Sequence, residues 1–336
     1  MLPALVMVLC LAAQLEAQLQ VGFYRKTCPL AETIVKEVVT DAVKKESELA
    51  ADFLRMHFHD CFVRGCDGSI LINSTKNDVA EKDSPDNNPS LEGFDVIDAA
   101  KAKLEEACRG VVSCADIIAF AARDGVELRG GLSYEVPSGR RDGRISRSSE
   151  ANENLPRPAS NLEQLTQIFA RKGLTQEDMI ILSGKNIKGI CKRCPASAGA
   201  HTIGVSRCSS ITKRLYNFST AAATDPTLDS GYAKTLKRRC PSGSAGSNLT
   251  VPMDPVSPEM FDSSYYRNLL RHRGLFASDQ ALMGSAKAAR LVRRHAKYSP
   301  LFRQRFAEAM VKMGHIGVLT GEEGEVRFNC GVINGC

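Results

Sequence analysis

Twelve cysteines in 336 residues constrain this chain more than any other feature. In a reducing compartment they mean thiol or metal chemistry; in an oxidising one they mean disulfides. The N-terminus chooses between the two. Residues 1–15 carry no charged side chain and form an apolar run too short to span a bilayer comfortably. Leu15-Glu16-Ala17 offers a signal-peptidase site, so residues 1–17 are expected to be a signal peptide and Gln18 the mature start. Disulfides become the expectation. Loss of Cys10 with the signal leaves an odd number of cysteines, so at least one thiol lacks a partner within the chain. Sequons at Asn73, Asn217 and Asn248 fit the same secretory route, each weak alone.

The remaining composition mainly excludes. With 43% hydrophobic and 24% charged residues the chain is an ordinary globular one, not a disordered one. A net charge of +6, spread along the sequence, is too slight to argue for nucleic acid. No later stretch approaches a membrane-spanning length. Helix signals dominate. Ser113 with Asp116, Ser160 with Glu163, and Thr175 with Asp178 read as capping boxes before apolar runs. Gly173 closes the second of these helices, and Ser299-Pro300 opens a last one ending at Gly314. Residues 84–89, 130–142 and 241–258 read as loops. Strand-like alternation is confined to short pieces such as residues 325–329. The expectation is an all-α protein with a boundary near residues 154–158 and a site between two helical halves.

Chemistry concentrates in LRMHFHDCF, residues 54–62. On a helix Arg55 and His59, four apart, share a face, whereas His57 and His59 point in nearly opposite directions. A histidine beside an arginine is more often structural than catalytic, so the neighbourhood has to decide. Asp60, Asp67 and Ser69 cluster with Gly65 and Gly68 in a tight turn closed by Cys61 and Cys66. Oxygen side chains and free carbonyls at that spacing suit a hard cation such as calcium, although an ordinary Asp/Gly turn has the same composition.

Beyond that point the motifs accumulate in order: LRMHFHDCFVRGCDGSILI, EKDSPDNNPSLEGFDVID, VSCADIIAFAARD, GGLSYEVPSGRRDG, NLPRP, AHTIGVSRC, RLYNFS, FDSSYYRNLL, GLFASDQAL and FAEAMVKMGHIGVLTGEEGEVRFNC. From Gln18 to about Asn334 the chain resembles a secretory plant (class III) haem peroxidase. The resemblance implies an all-α, two-domain fold with one haem b between a distal half, residues 18–155, and a proximal half, residues 156–336. It implies a calcium ion in each half. It also implies an enzyme that reduces hydrogen peroxide and oxidises phenolic donors in one-electron steps through a ferryl–porphyrin radical.

Carried over residue by residue, His59 is the distal base, Arg55 its charge-stabilising partner and Asn87 the group that orients His59. The chemistry suits these residue types. A near-neutral imidazole can take and return a proton, and a guanidinium stabilises developing negative charge. His201 resembles the axial iron ligand and Asp279 the carboxylate behind it. Asp60, Val63, Gly65, Asp67 and Ser69 resemble the distal calcium site; Thr202, Asp254, Ser257, Met260 and Asp262 resemble the proximal one. Pro156 matches the proline at the rim where aromatic donors approach. Eight cysteines allow about 105 pairings; the resemblance implies Cys28–Cys108, Cys61–Cys66, Cys114–Cys330 and Cys208–Cys240. The last half would thereby be tied back to the first. Secretion to the cell wall or vacuole, a monomer, and attraction to acidic wall polysaccharide are the corresponding expectations, with no nucleic acid or membrane partner.

One departure is large. Leu182-Ser183-Gly184 is separated from Ala200-His201-Thr202 by residues 185–199, KNIKGICKRCPASAG. Cys191 and Cys194 lie inside it, followed by Pro195 rather than His, which excludes a c-type haem attachment. A local disulfide or two idle thiols is the favoured state for that pair, and Cys336 is left over. The alternative function follows from this segment: a secreted calcium- or haem-binding protein, inactive or impaired because the insertion displaces His201.

Overall fold

The computed structural model describes residues 19–183, 200–243, 249–262 and 264–335. The expected signal peptide, the 185–199 segment with Cys191 and Cys194, the sequon residue Asn248, and Cys336 lie outside the described residues. The first half carries α1 (Ala31–Lys45), α2 (Leu49–Val63), α3 (Phe94–Ala107), α4 (Cys114–Leu128) and α5 (Ser148–Asn154). The second begins with α6 (Leu162–Arg171), α7 (Gln176–Ser183), α8 (Thr212–Tyr216) and α9 (Ser230–Arg239). It continues through α10 (Ser264–Leu270), α11 (Ala277–Ala281), α12 (Ala286–Lys297) and α13 (Ser299–Met313). Two small antiparallel pairs complete the described residues. β1 (Gln20–Val21) lies against β2 (Pro137–Ser138), with Gln20 opposite Ser138. β3 (Val205–Arg207) lies against β4 (Thr250–Pro252), with Ser206 opposite Val251. The all-α expectation holds. Residues 325–329 form no strand; they make isolated bridges, Asp142 with Glu325 and Asn329 with Val332, because no neighbouring segment runs beside them for a full ladder.

The helix starts follow capping chemistry, with two shifts. Ser113 Oγ accepts the Asp116 N–H at 3.2 Å, as expected at an N-cap. The Asp116 carboxylate does not return to Ser113. It accepts instead from the Tyr24 hydroxyl at 2.7 Å and Arg140 Nη1 at 2.6 Å, making α4 an anchor for residues far away in sequence. Thr175 and Asp178 cap α7 reciprocally. The box before α6 is Asn161 with Gln164, one residue later than Ser160 with Glu163, since the Asn161 amide reaches the Gln164 N–H at 2.9 Å. Ser299 is likewise already helical; Tyr298 occupies the N-cap of α13.

α4 explains where the core sits. Every residue from Cys114 to Val126 is buried, so the helix lies in the interior, with its buried charges paired: Asp116 with Arg140 and Asp124 with Arg123. α2 packs along it and presents Phe53, Leu54, Met56 and Phe62 to the core. Each such fully buried side chain contributes roughly 1.5–3 kcal/mol. A smaller cluster, including Ile211, Leu215, Leu236 and Val251, surrounds Cys208 and Cys240 in the second half.

The pairings formed are Cys28–Cys108, Cys61–Cys66, Cys114–Cys330 and Cys208–Cys240, those the resemblance implies. Cys114–Cys330 spans 216 positions of sequence and does not act alone. Asp142 Oδ1 and Oδ2 accept from the Ala115 and Cys114 N–H groups, placing a carboxylate on the N-terminus of α4. The same carboxylate accepts the Arg327 N–H at 2.9 Å, and Arg327 Nη2 donates to the Gly68 carbonyl at 2.6 Å. The C-terminal segment thus grips α4 and the Asp60–Ser69 loop together.

Candidate active site

Helical spacing puts Arg55 and His59 on one face of α2, and the surrounding loop fixes both. Arg55 donates through Nη1 to the Ser90 carbonyl and through Nη2 to the Asp86 carbonyl, each at 2.7 Å. Its Nε lies 3.4 Å from His59 Nε2. His59 Nδ1 lies 2.5 Å from Asn87 Oδ1, and Asn87 Nδ2 donates to the Glu81 carbonyl at 2.7 Å. Burial, reinforced by the Arg55 charge and opposed by the Asn87 hydrogen bond, lowers the His59 pKa to about 3. The imidazole is therefore neutral at ordinary pH. With Nδ1–H given to Asn87, the lone pair sits on Nε2, on the Arg55 side.

The Asp60–Ser69 loop brings its acids together. Asp60 Oδ2 accepts from the Gly68 N–H at 3.0 Å, and Asp67 Oδ1 from the Ser69 N–H at 3.1 Å. Gly65 adopts φ 135°, and a Cβ there would strike the Gly317 carbonyl, so only glycine closes this turn. The Val63 carbonyl accepts from Lys172 Nζ at 3.0 Å and the Gly65 carbonyl from the Asp67 N–H at 2.8 Å, each leaving a lone pair. Burial and the neighbouring Asp67 carboxylate push Asp60 well above the usual carboxylate range. Glu81, which sequence reasoning passed over, is fully buried, and burial pushes it up to about 8. Both its carboxylate oxygens, and the buried Ser69 hydroxyl, have no hydrogen-bond partner among the described residues. Unsatisfied oxygens among three mutually repelling buried acids fit a hard cation. The only sequence signal for Glu81 is its place six residues before Asn87. His57 beside Cys61 and Cys66 also gathers potential metal ligands, but the two sulfurs are engaged with each other.

On the other side His201 lies in a short turn, Ala200–Thr202. Its Nδ1 is 2.7 Å from Asp279 Oδ1, while Nε2 has no hydrogen-bond partner among the described residues. Asp279 is 2% exposed; Oδ2 accepts from the Phe276 N–H at 2.7 Å and Oδ1 from the Tyr265 hydroxyl at 2.8 Å. Burial pushes this carboxyl up, but His201 and the two donors outweigh it and hold it below the usual range. The carboxylate therefore stays charged behind the imidazole, and Nε2 is left without a hydrogen-bond partner among the described residues, which fits an axial metal ligand. Tyr265 is a second residue that sequence reasoning missed; nothing in FDSSYYRNLL separates it from an ordinary core tyrosine.

Next to His201, the Thr202 hydroxyl donates to the Asp262 carbonyl at 3.0 Å and the Met260 carbonyl at 3.3 Å. Asp254 Oδ1 accepts from the Val256 N–H at 2.7 Å and the Ser257 N–H at 3.3 Å. The Ser264 hydroxyl contacts Asp254, Asp262 and Ser257. Thr202, Asp254, Ser257, Met260 and Asp262 thus converge as one oxygen-rich group. Pro156 is half-buried just after α5.

The two sides meet closely. Gly204 has φ 83°, and a Cβ there would lie 2.7 Å from Ala51 Cβ on α2. Arg207 Nη2 donates to the Pro89 carbonyl at 3.0 Å, tying the segment after His201 to the loop that holds Arg55 and His59.

A family profile described as Peroxidase matches residues 35–298. The chain is 58% identical over 326 residues to Peroxidase 5 of Vitis vinifera, covering 97% of this chain and 94% of that protein. It is 48% identical over 331 residues to Peroxidase 1 of Zea mays, covering 97% and 86%. Against Peroxidase 39 of Arabidopsis thaliana the identity is 49% over 322 residues, covering 95% and 94%.

Proposed function

Because the chain belongs to the plant (class III) haem peroxidase family, we propose that Arg55, His59 and Asn87 carry its reaction with hydrogen peroxide and that His201 is the haem ligand. The family makes this an enzyme that reduces hydrogen peroxide at the expense of electron donors. When bound, haem supplies the two electrons that reduce peroxide and recovers them singly from donors. This chain's residues manage protons and charge. His59 Nε2 takes the proton from the peroxide oxygen, and Asn87 keeps Nδ1–H directed away so that Nε2 is the basic atom. Arg55, always charged, stabilises negative charge as the O–O bond breaks. His59 then returns its proton to the leaving oxygen as water. The observation that carries this reading is the neutral His59 held between Arg55 and Asn87.

His201 would bind iron through Nε2, with Asp279 behind it. The inactive alternative finds no support, since His201 rests on Asp279 rather than displaced from it. The Asp60 loop and the Thr202–Asp262 group are read as calcium sites, with Glu81 beside the first. Residues 18–155 form the distal half and 156–336 the proximal half. Small phenols are the donors, approaching near Pro156. The protein is read as secreted and monomeric, and acidic wall polysaccharide as a neighbour that its net charge attracts; no helix among the described residues is long and apolar enough to cross a membrane.

A visible spectrum and a guaiacol assay on the purified full-length chain test this, with a form lacking residues 185–199 alongside. The full-length chain is expected to bind haem and oxidise guaiacol only with peroxide. A full-length chain without haem, restored by the deletion, would reinstate the displaced-ligand alternative.

Tyr265→Phe removes one of the donors on Asp279 and leaves more of its charge for His201. The iron–imidazole stretching band of the haem-loaded variant is expected at higher frequency by resonance Raman. An unmoved band would reduce Tyr265 to packing.

A further inference from the structure

Two adjacent tyrosines of α10, Tyr265 and Tyr266, are buried beside His201 and differ in what their hydroxyls meet. The Tyr265 ring stands edge-on to the His201 ring, with centres 6.1 Å apart. Tyr266 is the next ring outward, 5.5 Å from Tyr265 and 5.7 Å from His295 on α12. Tyr265 donates its hydroxyl to Asp279 Oδ1 at 2.8 Å, whereas Tyr266 donates to the Ile180 carbonyl. That difference decides which phenol can be oxidised in place. A phenol that loses an electron becomes a strong acid and sheds its proton as the electron leaves. When buried, it can do so only onto a base within hydrogen-bond reach. A carboxylate is such a base; a peptide carbonyl accepts a hydrogen bond but does not take the proton.

We propose that Tyr265 is a redox-active residue, an internal one-electron donor to bound haem that peroxide has oxidised, a reading that rests on His201 being the haem ligand. One electron leaves the Tyr265 ring for the haem. The Tyr265 O–H bond breaks, and its proton forms an O–H bond at Asp279 Oδ1. A neutral phenoxyl radical remains on Tyr265. When an external phenol supplies an electron, the proton on Asp279 returns to Tyr265 and the donor's own proton passes to water. Tyr265 is 1% exposed, so the radical is kept from other molecules and one oxidising equivalent is held until a donor arrives. Tyr24 provides the contrast. It is buried and gives its hydroxyl to a carboxylate, Asp116, at 2.7 Å, but its ring neighbours are Phe23 and Phe120 rather than His201.

The test mixes haem-loaded full-length protein with equimolar hydrogen peroxide and no donor, freezes it within the first turnover and records electron paramagnetic resonance. A tyrosyl signal is expected in the parent, narrowed when the protein is made with ring-deuterated tyrosine. Guaiacol added with the peroxide is expected to suppress it. Y265F is expected to lose the signal, while Y266F and Y24F keep it. A role confined to tuning Asp279 would leave the signal in Y265F. If Y265F does not fold, ring-fluorinated tyrosine at position 265 alone replaces it, and fluorine splitting of the signal is expected. A parental signal in Y265F, absence of fluorine splitting, or equal loss in Y266F overturns the proposal. So does the absence of a tyrosyl signal when the visible spectrum shows bound haem altered by peroxide; the enzymatic reading then stands and only the radical site falls. A protein that binds no haem, or whose haem is untouched by peroxide, removes both.

Discussion

His59→Ala is expected to slow the reaction with hydrogen peroxide by about 10²–10⁴-fold while leaving haem bound, since one positioned acid–base group is worth that much. Stopped-flow mixing with peroxide measures the rate, and the visible spectrum reports haem content. A parental rate in the variant would remove His59 from the mechanism. The pH profile carries a second signature. Burial and Arg55 lower the His59 pKa to about 3, so the base stays available from neutral pH down to mild acid. The parental rate should hold until the pH approaches that value and then fall, because protonated His59 cannot accept peroxide's proton. Asn87→Ala removes the one contact that raises this pKa, so it should weaken the base and lower the rate less than His59→Ala does. An acid limb near the ordinary histidine value would show that the ring is not held as described.

Exhaustive calcium chelation is expected to lower thermal stability and activity together. A ligand bound only to the folded state at 100–1,000 times its dissociation constant stabilises by about 2.7–4 kcal/mol. For a chain of this size that corresponds to a drop in Tm of roughly 4–6 °C per site. Activity follows because the connection to His59 is short: Glu81 offers its unsatisfied carboxylate on the cation side and its carbonyl to Asn87, which holds His59. Thr202 makes a similar connection next to His201. Calorimetry before and after EDTA, with calcium restored as the control, decides the matter. An unchanged Tm would leave both oxygen-rich loops as ordinary turns.

What the sequence discloses is mostly local. The i, i+4 spacing of Arg55 and His59, the Asp60–Ser69 turn and the Ser113 and Thr175 caps are all short-range patterns, and each reappears in three dimensions. Even the misplaced caps err by one residue, because Ser160 and Asn161 are both good capping groups and only the backbone chooses between them. Long-range partnerships are different. His201 and Asp279 lie 78 positions apart, and no periodicity links them; the resemblance to a family supplied that pair and all four disulfides. Glu81 and Tyr265 escaped both routes. A buried acid in a loop and a buried tyrosine on a helix carry no local mark, and their roles come from what tertiary packing sets against them.

The grip of residues 325–330 on the first half bears on how a newly made chain is finished. Asp142, Arg327 and Gly68 are joined only when the last residues arrive, and Cys114 has its partner in Cys330. A chain emerging N-terminus first therefore cannot make these contacts until Arg327 and Cys330 have been added. A product lacking residues 325–336 would leave Cys114 without its partner sulfur, Asp142 without Glu325 and Arg327, and Gly68 without its clamp. Such a molecule would carry an unpaired thiol open to thiol–disulfide exchange. Closure of the Cys114–Cys330 bond thus reports, within the first half, that the chain has been made as far as Cys330.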